Sequence, residues 1–125
     1  MGTELDDARY VSLLSYKRDG SGAQTPVWAA SLDGKLVIFT AGDSYKVKRI
    51  RRNPRVRVAR CDARGGHLGA WFDGTCAIVE DGARQSRILD ALKTKYGWQM
   101  RLLDFFSTLS GRAKKRAYLE VTLAG

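Results

Sequence analysis

The segment QTPVWAASLDGKLVIFTA, residues 24–41, constrains the fold more than any other stretch of the chain. Two apolar runs rich in strand formers flank Asp33-Gly34, and that dipeptide fills the two positive-φ positions of a tight hairpin turn at low cost. An antiparallel sheet follows. A further run, YVSLLSY at 10–16, precedes the hairpin across the turn formers Arg18-Asp19-Gly20-Ser21-Gly22, so the first third of the chain reads as three antiparallel strands.

After Gly42 the hydrophobic period changes. Val47 and Ile50 lie three apart among basic residues, which predicts a short helix with a narrow buried stripe, and Asn53-Pro54 ends it because proline disfavours helical geometry in the residue before it. RVRVARC at 55–61 then alternates as a half-buried strand does. AWFDGTCAIVE at 70–80 is a further strand, with a bulge expected at Gly74. Asp81-Gly82 opens a helix that carries Ile88, Leu89, Leu92 and Tyr96 on one stripe and stops at Gly97. Residues 98–109 read as a second late helix, and KKRAYLEVTL at 114–123 as a closing strand. The expected architecture is mainly β (α+β): a six-stranded antiparallel barrel, closed or partly closed, with a short basic helix and one or two longer C-terminal helices.

At 125 residues the chain is read as a single domain, residues 1–125, able to bury a core without staples. No stretch approaches the roughly 20 apolar residues of a membrane span, and the start MGTELDDARY carries acids where a signal peptide is basic. A cytoplasmic protein with no membrane partner is the expectation. Cys61 and Cys76 lack C-x-x-C spacing and read as buried free thiols. His67 is the single histidine and has no companions at metal-ligand spacing, so no metal site is expected. Its Gly-rich loop leaves it either an ordinary loop residue or a group that touches substrate.

The net charge of +9 is concentrated: Lys46 through Arg64 hold nine of the 22 basic residues against one acid, Asp62. An anionic partner or a solvated basic face would each account for it. Between Lys46 and Arg64 there is no aromatic residue, so single-stranded nucleic acid would find no stacking platform there. Nucleic acid is therefore a disfavoured partner. The order LVIFTA, GDS, YKVKRIRR is strand, turn, helix, and a helix N-terminus presents unpaired N–H groups that suit a phosphate. Ser44 stands where either an N-cap or a phosphate-facing hydroxyl would. Lys46 and Arg49, three apart, share one helix face, while Lys48 and Arg52 extend the charge outward.

These residues resemble the split-barrel superfamily that includes pyridoxamine 5'-phosphate oxidase. In that superfamily an aromatic-Thr pair ends a strand and a Ser-x-Lys opens a helix at the cofactor phosphate. Phe39-Thr40 and Ser44-Tyr45-Lys46 stand in those places here. TPVWAA at 25–30, SYKVKR at 44–49, RRNPRV at 51–56, CDARG at 61–65 and KYGWQ at 95–99 are similar to the actinobacterial branch that uses the deazaflavin coenzyme F-420 (8-hydroxy-5-deazaflavin). The resemblance implies a split β-barrel and a homodimer with the cofactor groove at its interface. It also implies Ser44, Lys46 and Arg49 at the phosphate, Thr40 near the ring-phosphate junction, and Pro26, Val27 and Trp28 along the ring.

One position departs from the pattern: Tyr45 replaces the arginine that the classical oxidase carries between Ser and Lys. That loss disfavours FMN, which remains the alternative cofactor. Lys48, Arg49, Arg52 and Arg55 would suit a polyglutamate tail instead. The expected activity is hydride transfer from reduced coenzyme F-420 to a small organic acceptor, with no catalytic side chain assigned. The alternatives are a non-catalytic carrier of flavin, deazaflavin or tetrapyrrole on the same fold, and a basic nucleic-acid-binding domain.

Overall fold

The computed structural model describes residue 5, residues 7–41, 44–97, residue 99 and residues 116–124. Strands β1 (Tyr10–Tyr16), β2 (Gly22–Val27), β3 (Ala29–Leu32) and β4 (Lys35–Ala41) lead into helix α1 (Tyr45–Arg52). Strands β5 (Arg55–Cys61) and β6 (Phe72–Val79), helix α2 (Gly82–Tyr96) and strand β7 (Arg116–Leu123) complete the order. The expected late helix at 98–109 lies outside the described residues, Gln99 apart.

The seven strands form one antiparallel sheet in the order β2-β1-β5-β6-β7-β4-β3. Seven strands replace the six expected because QTPVWAASL is not one strand: it breaks at Trp28 into β2, which pairs with β1, and β3, which pairs with β4. The two halves are opposite edges of the sheet, yet a single residue joins them. That residue holds the edges within about 7 Å of each other, so the sheet must curl into a half-barrel. Pro26 is tolerated because β2 is an edge strand.

The Asp33-Gly34 turn forms as its sequence dictates, with φ of 53° and 77°. The bulge expected at Gly74 is absent. Gly74 pairs in continuous register with Val56 on one side and Leu123 on the other. It is glycine because a Cβ there would sit 3.0 Å from the Thr122 carbonyl oxygen and 3.0 Å from Val121 Cγ1.

Two apolar clusters stabilise the fold. Leu13, Leu36, Ile38, Val56, Val58, Leu119 and Val121 fill the barrel, and Ile50 from α1 joins them. On the outer face, Ile88, Leu92 and Tyr96 of α2 pack on Ala30, Val37 and Val79. Cys61 and Cys76 are free and buried, as their spacing suggests.

Candidate functional site

A cleft of about 270 Å³ opens where three parts of the chain converge. The start of β1 contributes Tyr10, and the β2–β3 corner contributes Pro26, Val27 and Trp28. The end of β4 contributes Phe39 and Thr40, and the first turn of α1 contributes Lys46. Pairing brings the first two together, since Val11 lies opposite Val27. The third arrives because β4 runs directly towards α1.

The cleft has apolar aromatic walls and one cation. The Trp28 ring is stacked on Tyr96, centroids 4.5 Å apart and planes within 8°, and the Arg116 guanidinium lies over the Phe39 ring at 4.9 Å. Lys46 is half-buried. Burial, with the Arg49 charge adding to it, holds its ammonium below the ordinary lysine value of 10.5. No described carboxylate forms an ion pair with it. A partly desolvated cation beside flat apolar walls suits a planar ligand that carries a negative group.

The other residues singled out in the sequence do not all reach the cleft. Ser44 caps α1, its Oγ accepting from Val47 N at 3.5 Å, so the structure gives it the capping role. Arg49 is turned inward: Nε donates to Oγ of the buried Ser15 at 2.8 Å. Ser15 continues the inward face of Val11 and Leu13, and Arg49 thereby ties α1 across the barrel end. Arg52 reaches the Tyr16 carbonyl at 3.4 Å. Lys48 lies over the ring of Tyr45, itself 77% exposed, at 5.3 Å. Five of the nine residues, Pro26, Val27, Trp28, Thr40 and Lys46, meet in the cleft; Ser44, Lys48, Arg49 and Arg52 stand along α1 beside it.

Tyr10 was not singled out, because a tyrosine that opens an apolar strand carries no signal that distinguishes it from core. Lys95 stands in the sequence only within KYGWQ, and Tyr96 there and on the apolar stripe of α2, yet both support the cleft wall. Tyr96 Oη accepts from Ala29 N at 3.0 Å and lies 2.8 Å from the Arg9 carbonyl oxygen. Lys95 Nζ donates to the carbonyls of Ala8 and Ala29 at 2.7 and 2.6 Å.

His67 has a side chain 90% exposed and sits at φ 52° in a loop organised by Asp62. Asp62 Oδ1 accepts from Arg64 N and Gly66 N at 2.9 and 2.8 Å. These backbone donors, Gly66 first, hold the carboxyl below its usual range. Burial pushes the Cys76 thiol up to about 12, which removes it as a nucleophile. Among the described residues no cluster of His, Cys, Asp or Glu could hold a metal, and no helix is long and apolar enough to cross a membrane.

A family model described as pyridoxamine 5'-phosphate oxidase matches residues 1–125, and the chain belongs to that family. The fold is shared with a conserved hypothetical protein of Mycobacterium tuberculosis at 23% identity and TM-score 0.75, over 97% of this chain and 76% of that one. It is shared with the heme storage protein HutZ of Vibrio cholerae at 8% identity and TM-score 0.71, over 97% and 85%. A FAD-binding protein of Mesorhizobium loti matches at 19% identity and TM-score 0.64, over 97% and 83%. At these identities the likeness establishes the fold alone. No match was found among the curated proteins.

Proposed function

We propose that this chain is an oxidoreductase that binds reduced coenzyme F-420 in the Lys46 cleft and passes a hydride from it to a small organic acceptor. The observation that carries the reading is Lys46 itself, a half-buried ammonium at the end of a cleft walled by Trp28 and Phe39. The deazaflavin supplies the hydride when bound, and the chain supplies position and exclusion of water. Lys46 and the Thr40 hydroxyl would hold the phosphate end, with the α1 N-terminus beside them. Pro26, Val27 and Trp28 would line the ring. Ser44, Lys48, Arg49 and Arg52 join the proposal as residues along the outer part of the ligand. Arg49 and Arg52 take a shared role there, because both already hydrogen-bond β1.

The cleft is slightly smaller than the ~300 to 1,000 Å³ typical of small-molecule sites, which suits a working homodimer whose second copy completes it. FMN is the alternative occupant. The exposed Tyr45, standing in place of an arginine, favours the deazaflavin because no guanidinium forks onto the phosphate from that position.

A carrier role is the second reading. The described cleft lining has no imidazole, thiol or carboxylate, so it offers no obvious acid-base pair, and Tyr10 is its one phenol able to meet a haem iron. Tryptophan-fluorescence titration with coenzyme F-420, FMN and haemin, followed by a turnover assay with reduced F-420 and a panel of quinone and enone acceptors, separates these roles. Saturable F-420 binding at micromolar or lower concentration with turnover supports the reductase. Binding without turnover across the panel supports the carrier, and binding of none of the three removes both.

A further inference from the structure

Tyr96, at the end of α2, belongs to the buried stripe of that helix with Ile88 and Leu92, but the stripe does not account for all of its contacts. The ring stacks on Trp28 at 4.5 Å, and the hydroxyl meets both the N–H and the carbonyl of Ala29, the residue directly after Trp28, each at 3.0 Å. The same hydroxyl lies 2.8 Å from the carbonyl of Arg9, the residue directly before Tyr10. Trp28 and Tyr10 are two walls of the cleft.

Trp28 also needs outside support. It is the one residue between β2 and β3, so it lies in neither strand ladder. Tyr96 covers one face of its ring in a near-parallel arrangement. Lys95 adds a second clamp on the same two segments through the carbonyls of Ala8 and Ala29.

We infer that Tyr96 is a positioning residue for the cleft: its ring fixes the plane of Trp28, its hydroxyl fixes the spacing of Trp28 from Tyr10, and together they set the slot for a planar aromatic ligand. This rests on the cleft being the binding site proposed above, and the two ideas fail separately. The ring and hydroxyl contributions are separable too, because phenylalanine keeps the first and loses the second.

The test uses the full chain in a Trp71→Phe, Trp98→Phe background, so that Trp28 is the sole fluorophore, and compares Tyr96→Phe with Tyr96→Leu. Acrylamide quenching of Trp28 is measured first, then affinity for coenzyme F-420 and FMN, with thermal melts alongside. Both variants lose buried hydrogen bonds and melt lower. Loss of the stack is expected to raise the quenching constant clearly in Tyr96→Leu and to weaken ligand binding by about tenfold, the upper range for an aromatic pair. Tyr96→Phe should keep wild-type quenching and bind within about threefold.

Equal quenching in the two variants, or affinity losses that simply follow the melting temperatures, would overturn the inference in favour of a purely structural tyrosine. Should the double-tryptophan background not fold, the near-ultraviolet circular dichroism of Trp28→Phe subtracted from wild type gives the Trp28 band. That band must then collapse in Tyr96→Leu and survive in Tyr96→Phe. Failure of the unmodified chain to bind either cofactor overturns the proposed function; the Trp28 signals still decide whether Tyr96 sets the wall.

Discussion

Lys46, the second residue of α1, and Arg84, the third of α2, both lie in the first turns of their helices and have opposite surroundings. Each is a partly buried cation in a first turn that contains no acid, where the helix dipole disfavours positive charge. Arg84 is compensated: Nε donates to Glu120 Oε1 at 2.9 Å and Nη1 to Asp33 Oδ2 at 2.6 Å. These hydrogen bonds, Asp33's first, raise its already high pKa. Lys46 has no such partner among the described residues, and its pKa is pushed the other way. Among the described residues the fold satisfies one cation with carboxylates and gives the other no anion. A charge that is costly without a partner and lies in a cleft points to a partner from outside.

Exchanging the two effects is the strongest way to break that comparison. Lys46→Met should weaken coenzyme F-420 or FMN binding tenfold or more, in line with the ~1.5 to 3 kcal/mol of a charge-assisted contact, and leave urea stability unchanged or higher. Arg84→Met should do the reverse. It strands Glu120 and leaves Asp33 with Arg87 alone, lowers the urea midpoint, and leaves affinity within about twofold, since α2's first turn does not line the cleft. A stability loss in Lys46→Met, with affinity intact, would reduce Lys46 to a structural residue.

The pH dependence sharpens the same contrast. The folded chain holds the Lys46 proton less tightly than the unfolded chain does at 10.5, so between the lowered value and 10.5 the unfolded state binds more protons and stability rises with pH. Asp33 is lowered by its Arg84 hydrogen bond; its contribution is present above 3.8 and is lost as pH falls through the lower folded value. Urea midpoints across pH should lose the alkaline rise in Lys46→Met and part of the acid fall in Arg84→Met. A bound phosphate should pull the Lys46 pKa back up, so that binding in the alkaline window takes up a proton. Calorimetry in two buffers of different ionisation enthalpy reads that uptake, and Lys46→Met should abolish it.

What the sequence disclosed about this contrast follows the range of the forces involved. The Asp33-Gly34 turn, the Val47 and Ile50 stripe and the Gly97 stop depend on neighbours a few residues away, and all three stand in the structure. The break at Trp28 depends on a sheet closing on itself through strands 75 or more residues apart in sequence, which no local pattern contains. By spacing Arg49 shares a helix face with Lys46, and Arg52 extends the same charge outward. Neither joins Lys46 in the cleft lining, because Ser15 and the Tyr16 carbonyl, supplied by a strand more than 30 residues earlier, capture them. The same holds for Gly74, whose role is set by the Thr122 backbone on a neighbouring strand rather than by its own.

The smallest expected effect separates capping from ligand contact at Ser44. Its Oγ accepts from Val47 N at the long distance of 3.5 Å, so Ser44→Ala should cost about 0.5 to 1 kcal/mol of stability, the low end for an N-cap. Ser44→Asn keeps an accepting oxygen at the cap and should restore most of that loss in a urea melt. If the serine only caps, affinity for coenzyme F-420 stays within about twofold in both variants, because the neighbouring cation is untouched. If its hydroxyl also donates to the ligand, Ser44→Asn recovers stability without recovering affinity, and the ligand contact then reaches from Lys46 back to the cap of α1.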